Sequence, residues 1–148
     1  MEVQEDFREF IELLNAHDVK FMIVGGYALA FHGAPRFTGD IDVFIKPDQT
    51  NASRIINALA DFGFGSLNLT LKDFQYPDKV IQLGLPPLRI DIITSISGVT
   101  WEEADASKKP GLFGDIPVFY IGKKQFIANK RATGRKKDLA DIEALGEE

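Results

Sequence analysis

The sequence contains no cysteine and only two histidines, His17 and His32, among its 148 residues. A disulfide framework is therefore excluded, and so is a structural zinc site of the usual cysteine and histidine kind. Any metal ion must be held mainly by oxygen ligands. The composition, with 45% hydrophobic and 26% charged residues, is that of a single soluble globular domain. A chain of this length buries roughly two-thirds of its unfolded surface.

Long apolar runs are also missing. The longest, at 21–24 and 90–94, are far too short to cross a bilayer, and the amino terminus is acidic where a signal peptide is basic. We therefore predict a cytoplasmic protein that does not associate with membranes. The chain has no internal repeat, linker or low-complexity tract. We expect one domain, 1–148, with a basic C-terminal helical segment at 123–145.

The charge is unevenly distributed along the chain. The formal net charge is -5, but the segment 123–137 carries seven basic residues and no acidic one, which leaves the remainder at -12. Such a segment could attract phosphate or a nucleic-acid backbone. The alternative is a solvated helix face, and charge alone leaves both interpretations open.

The order of predicted elements indicates the fold class. Apolar spacing predicts an amphipathic helix that ends near residue 15. Further helices are predicted at 27–31, 49–62, 101–107 and 123–145, the last one broken near Gly134. Strands are predicted at 21–24, 41–45, 80–83, 88–94 and 116–121. This mixed order predicts an α+β domain, with one mixed sheet and helices packed on it.

A glycine pair and an acidic pair follow one another early in the chain. Gly25 and Gly26 form a turn between a strand and a helix, and Asp40 and Asp42 stand at the start of the next strand. Side chains two apart on a strand point the same way, so the two carboxylates share one face. Like charges so placed repel unless a cation or a proton relieves them, and oxygen ligands suit Mg²⁺ or Mn²⁺.

Asp91 has a similar setting, because it lies among large aliphatic residues in the strand predicted at 88–94. If that strand lies beside the strand at 41–45, Asp91 comes level with Asp40 and Asp42. Three carboxylates on neighbouring strands form a two-cation site of the kind used in phosphoryl or nucleotidyl transfer. The glycine turn supplies the other half, since glycine lets backbone amides approach a phosphate and the following helix presents its positive end.

Each feature taken singly also has an ordinary structural explanation. A glycine pair is usually a turn, an Asp-x-Asp pair is often a solvated edge, and Asp91 alone could be an exposed strand residue. Their joint occurrence, in order and in compatible elements, favours a site. In phosphatases of the haloacid-dehalogenase type the pair ends an apolar strand, whereas here the apolar run follows it. Neither a P-loop motif nor a complete dinucleotide-binding motif is present.

These residues resemble the signature of the DNA polymerase β-like nucleotidyltransferase superfamily, particularly its small members related to abortive-infection toxin nucleotidyltransferases. The likeness rests on Gly25-Gly26, Asp40-Ile41-Asp42-Val43 and Asp91, and it extends to His32-Gly33 and Arg36-Phe37-Thr38. In the tail, 129–132 and 135–142 are similar to the Lys and Arg-x-Lys-Asp motifs of that toxin group. The resemblance therefore spans about 21–145 and implies a nucleotidyltransferase-like mixed sheet flanked by helices.

The resemblance also implies roles for individual residues. Asp40, Asp42 and Asp91 would bind two divalent ions, and Asp91 would help to deprotonate the attacking hydroxyl. Gly25 and Gly26 would cradle the β- and γ-phosphates.

The remaining implied roles concern the rim of the site and the tail. Lys130 would face the triphosphate, and Arg36 and Thr38 would line the mouth. Two assignments stay open. His32 is either a packing residue or a site residue. A group of tail residues is either functional or forms an ion network that holds the tail against the sheet, and this group consists of Arg135, Lys137 and Asp138.

One residue departs from the pattern, because many superfamily members have a phosphate-contacting serine where this chain has Tyr27. Phosphate contact would then rest on backbone amides. The resemblance further implies that full-length toxin relatives carry an extra helical region for the acceptor. Acceptor recognition is therefore expected to need a partner chain or a second copy of this chain.

We predict a metal-dependent nucleotidyltransferase that uses Mg²⁺ or Mn²⁺ to move a nucleoside monophosphate from a nucleoside triphosphate to a hydroxyl. RNA, a protein or a small molecule would be the acceptor, and the protein would be a toxin–antitoxin component. The alternative is a non-catalytic nucleotide-binding or protein-interaction module of the same fold.

Overall fold

Six strands form one mixed sheet in the computed structural model of the chain, which describes residues 3–34, 38–65, 68–85 and 88–147. The strands are β1 (Phe21–Val24), β2 (Asp40–Ile45), β3 (Val80–Leu85), β4 (Leu88–Ile93), β5 (Lys109–Phe113) and β6 (Ile116–Tyr120). Their order across the sheet is β3-β4-β2-β1-β6-β5. β2 runs parallel to β4 and β1 runs parallel to β6, whereas the other neighbouring strands are antiparallel.

Helices connect and cover these strands. They are α1 (Glu5–Ala16), α2 (Gly25–Phe31), α3 (Gln49–Leu59), α4 (Leu71–Gln75), α5 (Trp101–Ser107), α6 (Lys123–Thr133) and α7 (Lys136–Ala144). Local sequence sets several of their ends. Asp48 caps α3 by accepting a 2.7 Å hydrogen bond from the Asn51 amide. α3 continues into a π-helical turn, Ala60–Phe64, that contains Gly63 at a φ of 101°. This positive φ favours glycine and stops the helix.

The core lies between the sheet and the helices that pack on it. All four residues of β1 are buried, as expected for a strand with neighbours on both sides. α1 contributes its apolar stripe, which consists of Phe7, Phe10, Ile11 and Leu14. β2 buries Ile41 and Val43 but leaves Asp40 and Asp42 partly exposed. The two faces of β2 therefore separate hydrophobic packing from the acidic pair.

The predicted α+β class and mixed sheet are confirmed. Two elements were not predicted. α4 lies in a stretch that gave no clear pattern, and β5 was missed because its sequence, Lys-Pro-Gly-Leu-Phe, contains two residues that are rare in strands. β5 is an edge strand paired only with β6, where proline is tolerated. None of the helices in the described part of the chain has the length and apolar character needed to cross a bilayer. The cytoplasmic location stays a prediction.

Candidate active site

The three predicted aspartates lie on two neighbouring strands. In the parallel pairing of β2 with β4, Asp42 is directly opposite Asp91, and Asp40 is opposite Arg89. Asp40 and Asp42 are two residues apart and therefore share a face of the sheet. The structure thus brings Asp40, Asp42 and Asp91 together, although Asp42 and Asp91 are 49 positions apart in the chain.

The electrostatics of this cluster are centred on Asp42. Burial raises the pKa of Asp42 to about 7, and the charge of Asp91, a hydrogen bond with Asp91 and the charge of Asp40 act in the same direction. The positive charge of Lys130 opposes this shift. The cluster therefore attracts a cation and, without one, retains a proton near neutral pH.

Arg89 is the direct cationic partner of the other two carboxylates. Its Nε donates a 2.8 Å hydrogen bond to Asp91 Oδ1, and its Nη2 donates 3.1 Å hydrogen bonds to Asp91 Oδ2 and to Asp40 Oδ2. A guanidinium that engages both oxygens of one carboxylate forms a strong and directional pair. Arg89 was not among the predicted site residues. The sequence feature that could have identified Arg89 as a site residue is its position two residues before Asp91, which places both side chains on one face of β4.

The glycine pair at the end of β1 makes room for two site side chains. Gly25 has a φ of 68°, and a Cβ at this position would collide with the Asp42 carboxylate. A Cβ on Gly26 would lie 3.0 Å from Cβ and Oγ1 of Thr38. Thr38 in turn donates a 3.0 Å hydrogen bond to the Asp40 carbonyl. The structure therefore gives a steric reason for both glycines.

Tyr27, the residue after this glycine pair, has its side chain in the core. It is buried, and its ring makes edge contacts with Phe7 and Phe113, with centroid separations of 6.3 and 5.2 Å. The residue after the glycine pair therefore serves core packing. His32 also has a structural partner, since its Nε2 lies 2.7 Å from the Ile121 carbonyl oxygen.

The tail forms a helical hairpin that carries buried charges. Gly134 ends α6 in the left-handed conformation, with a φ of 63°, and α7 follows. Lys130 Nζ lies 3.5 Å from Asp138 Oδ1 and 3.4 Å from Asp141 Oδ2, and both aspartates are buried. Asp141 was not predicted from the sequence. The hairpin therefore holds Lys130 through two acidic residues of α7.

Arg135 completes this network. Its Nε donates a 2.7 Å hydrogen bond to Asp138 Oδ2, and its backbone amide donates a 3.1 Å hydrogen bond to the same oxygen. Burial alone would raise the pKa of Asp138, but hydrogen bonds from Arg135 and Thr133 and the charge of Lys130 hold the pKa well below its usual range. Asp138 is therefore ionised at neutral pH and organises the start of α7.

The loop after β4 fixes α6 against the sheet. Asn129 Nδ2 donates a 2.9 Å hydrogen bond to the Ser97 carbonyl. Gly98, at a φ of 79°, packs so closely on α6 that a Cβ would lie 2.8 Å from Cβ of Ala132. These contacts bring the face of α6 that carries Lys130 next to the aspartates.

An open cavity of about 440 Å³ lies between the aspartates and the hairpin. Among the predicted site residues, the side chains and backbone that line it belong to Gly25, Asp40, Asp42, Asp91, Lys130, Arg135 and Lys137. Gly26, Thr38 and Asp138 lie behind this lining, in contact with it through Gly25, Asp40 and Arg135. Arg36 lies outside the described residues. The cavity thus has an acidic floor and a basic wall.

The basic segment of the sequence is divided between two surfaces. Lys130, Arg135 and Lys137 line the cavity at the aspartates. A second cavity, of about 480 Å³, lies on another side of α6 and is lined by Lys123, Lys124, Ile127, Ala128, Arg131 and Glu147. Only part of the segment is therefore placed to meet a ligand bound at Asp42.

The donor chemistry of the floor fits a hard divalent cation, because its ligands are carboxylate oxygens with an excess of negative charge. Arg89, however, takes three of those oxygens in this structure. No group of three or more histidine or acidic side chains among the described residues is arranged around a common metal position. A metal ion placed midway between Asp40 and Asp91 would occupy the position that Nη2 of Arg89 holds in this structure.

Solved structures of nucleotidyltransferases share the fold. The lincosamide antibiotic adenylyltransferase LnuA, in its lincomycin-bound crystal structure, is 14% identical, with a TM-score of 0.61 over 97% of this chain and 96% of that chain. The antibiotic-resistance factor ANT(2'')-Ia is 11% identical, with a TM-score of 0.62 over 95% of this chain and 80% of that one. TM1012 from Thermotoga maritima, described as a candidate nucleotidyltransferase, is 14% identical, with a TM-score of 0.59 over 95% and 88% of the two chains.

No curated protein sequence matches the chain. A family model does match, and its description is nucleotidyl transferase AbiEii toxin, type IV toxin–antitoxin system. The match covers residues 12–103, which include Gly25, Asp40, Asp42 and Asp91 but end before α6. The assignment of the tail motifs is therefore still a prediction. The chain belongs to the AbiEii family of nucleotidyltransferase toxins, which is consistent with the resemblance to the DNA polymerase β-like superfamily.

Proposed function

We propose that this enzyme transfers a nucleoside monophosphate from a nucleoside triphosphate to a hydroxyl group, with Mg²⁺ or Mn²⁺ bound at Asp40, Asp42 and Asp91. The observation that carries this proposal is the pairing of Asp42 with Asp91 on adjacent strands, beside the turn at Gly25 and opposite Lys130. An acidic floor that binds cations and a basic wall that binds phosphates are the two halves that a metal–triphosphate requires.

In the proposed reaction the acceptor hydroxyl oxygen forms a bond to the α-phosphorus. The bond between that phosphorus and the bridging oxygen of the β-phosphate breaks, and pyrophosphate leaves with the electron pair. Asp91 would help to take the proton from the hydroxyl, as the resemblance implies. When bound, the divalent ions neutralise charge that develops on the phosphate oxygens.

The basic wall would hold the triphosphate. Lys130 is only 11% exposed and lines the cavity, where its charge already acts on Asp42. Arg135 and Lys137 lie further along the same wall. Gly25 and Gly26 would contribute backbone amides, while Thr38 and Arg36 would contribute to the mouth.

The acceptor is RNA, a protein or a small molecule. Among the structural neighbours, LnuA is described with bound lincomycin, and ANT(2'')-Ia with adenylyl-2''-tobramycin. These descriptions support a small-molecule hydroxyl as one candidate, whereas membership in a toxin family supports a cellular macromolecule. A partner chain or a second copy would complete acceptor recognition.

A labelling experiment tests the proposal. The protein is incubated with Mn²⁺ or Mg²⁺ and each nucleoside triphosphate, labelled on either the α- or the γ-phosphate, together with total RNA, lysate protein or aminoglycosides. We expect stable transfer of the α-label only, with release of pyrophosphate. Transfer of the γ-label, or no transfer with any metal, would overturn the proposal.

Two variants control this experiment. Asp42→Asn should lower transfer at least about 100-fold, whereas Asp115→Asn should leave it unchanged, because Asp115 pairs with Arg8 on the surface outside the cavity. A non-catalytic module would instead bind nucleotide without metal, and binding by calorimetry would survive Asp42→Asn.

A further inference from the structure

We infer that Arg89 is a built-in counter-cation of the carboxylate cluster, which a divalent ion must displace and which then pairs with the triphosphate. The inference rests on the proposed function and adds a residue that couples the two ligands. Arg89 thereby makes binding of the free metal ion weak and binding of the metal–triphosphate complex strong.

The guanidinium of Arg89 lies where a metal ion would need to bind. Its Nη2 donates to Asp40 Oδ2 and to Asp91 Oδ2, each at 3.1 Å, so one nitrogen lies between the two carboxylates. Nε holds the remaining oxygen of Asp91 at 2.8 Å. A metal ion bound between Asp40 and Asp91 would need the position that this nitrogen occupies. The guanidinium therefore competes with a divalent ion for the same ligands.

The charge of the cluster is only partly balanced by Arg89. Its guanidinium donates hydrogen bonds to Asp40 and Asp91, while Asp42, directly opposite Asp91, adds a third carboxylate to the cluster. A metal ion that adds positive charge at Asp42 also repels Arg89, because like charges at short range disfavour each other. Metal entry therefore weakens the contacts of Arg89.

The Arg89 side chain also has room to move. It is 27% exposed and lines the cavity that contains Lys130, Arg135 and Lys137. On its other side, Arg89 is in register with Gly84 of β3, which has no side chain to enclose it. A released guanidinium thus stays in the cavity, where it offers five donors to phosphate oxygens.

Together, its position, its charge and its exposure to the cavity give Arg89 a coupling role. A metal ion alone must break three hydrogen bonds with no replacement for the guanidinium. A metal–triphosphate complex supplies phosphate oxygens as new partners. The two ligands therefore bind with positive cooperativity, and a coupling of about 5- to 150-fold is typical of such linkage.

The experiment compares Arg89→Gln with the wild-type protein in the same buffer, at about pH 8. Affinity for Mn²⁺ alone is measured from the electron paramagnetic resonance signal of free Mn²⁺. Affinity for preformed Mn²⁺–tripolyphosphate is measured by calorimetry. We expect Arg89→Gln to bind Mn²⁺ alone at least about fivefold more tightly and Mn²⁺–tripolyphosphate at least about fivefold more weakly.

Arg8→Gln is the matched control, since Arg8 also makes a two-point contact with an aspartate, Asp115, but on the surface. Neither affinity should change in this variant. Unchanged or weaker Mn²⁺ binding by Arg89→Gln, or unchanged binding of the complex, would overturn the inference. Opposite changes for the two ligands would not arise from a merely structural role.

If Arg89→Gln does not fold, the same two affinities are measured with Arg89→Lys. Lysine keeps the charge but cannot span two carboxylates. We expect Mn²⁺ alone to bind more tightly than to wild type, with binding of the complex close to wild type; Mn²⁺ binding no tighter than wild type would contradict the inference. Failure of the proposed function appears separately, as absence of α-label transfer by the wild-type protein.

Discussion

At the residue scale, Asp42 is closely confined, because it lies against Gly25 on one side and opposite Asp91 on the other. Burial raises the pKa of Asp42 to about 7. The folded protein therefore binds this proton more tightly than the unfolded chain does. Its contribution to stability is present below about pH 4 and is lost as the pH rises through about 7.

Asp42→Asn removes the free-energy cost of burying an ionised carboxylate, which the wild-type protein has above about pH 7. In EDTA at about pH 8 we expect the variant to unfold about 2–4 °C above wild type, on the order of 1 kcal/mol, because an amide carries no charge to bury. At about pH 4 the two proteins should unfold at similar temperatures. Transfer should fall at least about 100-fold. Scanning calorimetry at both pH values checks this, and equal unfolding temperatures at about pH 8 would contradict the expected repulsion.

Gly25→Ala tests the close approach of Asp42 to the turn. An alanine here would have to keep a φ of 68°, and its Cβ would collide with the Asp42 carboxylate. We therefore expect a loss of about 1–3 kcal/mol of stability and strongly reduced transfer. Gly33→Ala is the control. Gly33 has a φ of 108°, but nothing lies within 4 Å of the place that an alanine Cβ would occupy. This control should lose stability but keep transfer. Equal transfer by both variants would show that Asp42 tolerates displacement.

The role of these glycines shows what a sequence can and cannot predict at this scale. A strand followed by Gly25-Gly26 predicts a tight turn, because glycine tolerates positive φ. It does not predict that the space is used by Asp42 and Thr38, since those contacts depend on the pairing of β1 with β2. The phosphate-binding role expected for these glycines stays a prediction.

At the element scale, the α6–α7 hairpin depends on Asp138. This buried carboxylate accepts from the Arg135 amide and side chain and pairs with Lys130. Its pKa is held below the usual value. The resulting stability is therefore present above about pH 4 and is lost as the pH falls through the pKa of the folded state.

Asp138→Asn should destabilise the protein by about 2 kcal/mol at neutral pH, because Lys130 and Arg135 lose a charged partner. The difference from wild type should shrink steadily below about pH 4. Urea unfolding followed by circular dichroism measures it. Asp105→Asn, which removes an exposed pair with Lys108, should change stability by less than about 0.5 kcal/mol. A pH-independent loss for Asp138→Asn would indicate a packing effect.

Element boundaries followed local signals closely where those signals were strong. β1 at 21–24 and α5 at 101–107 have the predicted limits, and the break at Gly134 separates α6 from α7. The helix predicted to reach 62 instead changes to a π-helical turn after Leu59. β5 depends on pairing with β6 rather than on its own composition, so its sequence alone gave no signal.

At the scale of the whole molecule, a net charge of -5 coexists with a basic wall beside the acidic floor. Lys137 lines the cavity and is exposed. Lys137→Gln should weaken binding of Mn²⁺–nucleotide about threefold at low ionic strength, and the difference should vanish at about 0.5 M KCl, where charges are screened within a few ångströms. Lys136→Gln is the control, and calorimetry measures both. Equal weakening of binding by Lys136→Gln and Lys137→Gln would show that the loss of net positive charge, and not a contact at the cavity, is responsible.

The juxtaposition of Asp42 with Asp91 was expected on the condition that the two acidic strands are neighbours, and the parallel pairing of β2 with β4 meets that condition. The cationic partners of the carboxylates could not be predicted from the sequence. Arg89 reaches Asp40 across the strand pairing, and Lys130 reaches Asp138 and Asp141 through a turn at Gly134. Such contacts depend on side-chain rotamers and on register between distant segments, which local sequence patterns do not contain.

The cavity is contributed by two separate stretches of chain. Its described lining comes from residues 24–97 for the floor and 129–137 for the wall, with β5 and β6 between them. The two stretches meet where α6 packs on the loop after β4, through Asn129 and Ala132. A side chain at position 98 would therefore move the wall relative to the floor without replacing any residue that lines the cavity.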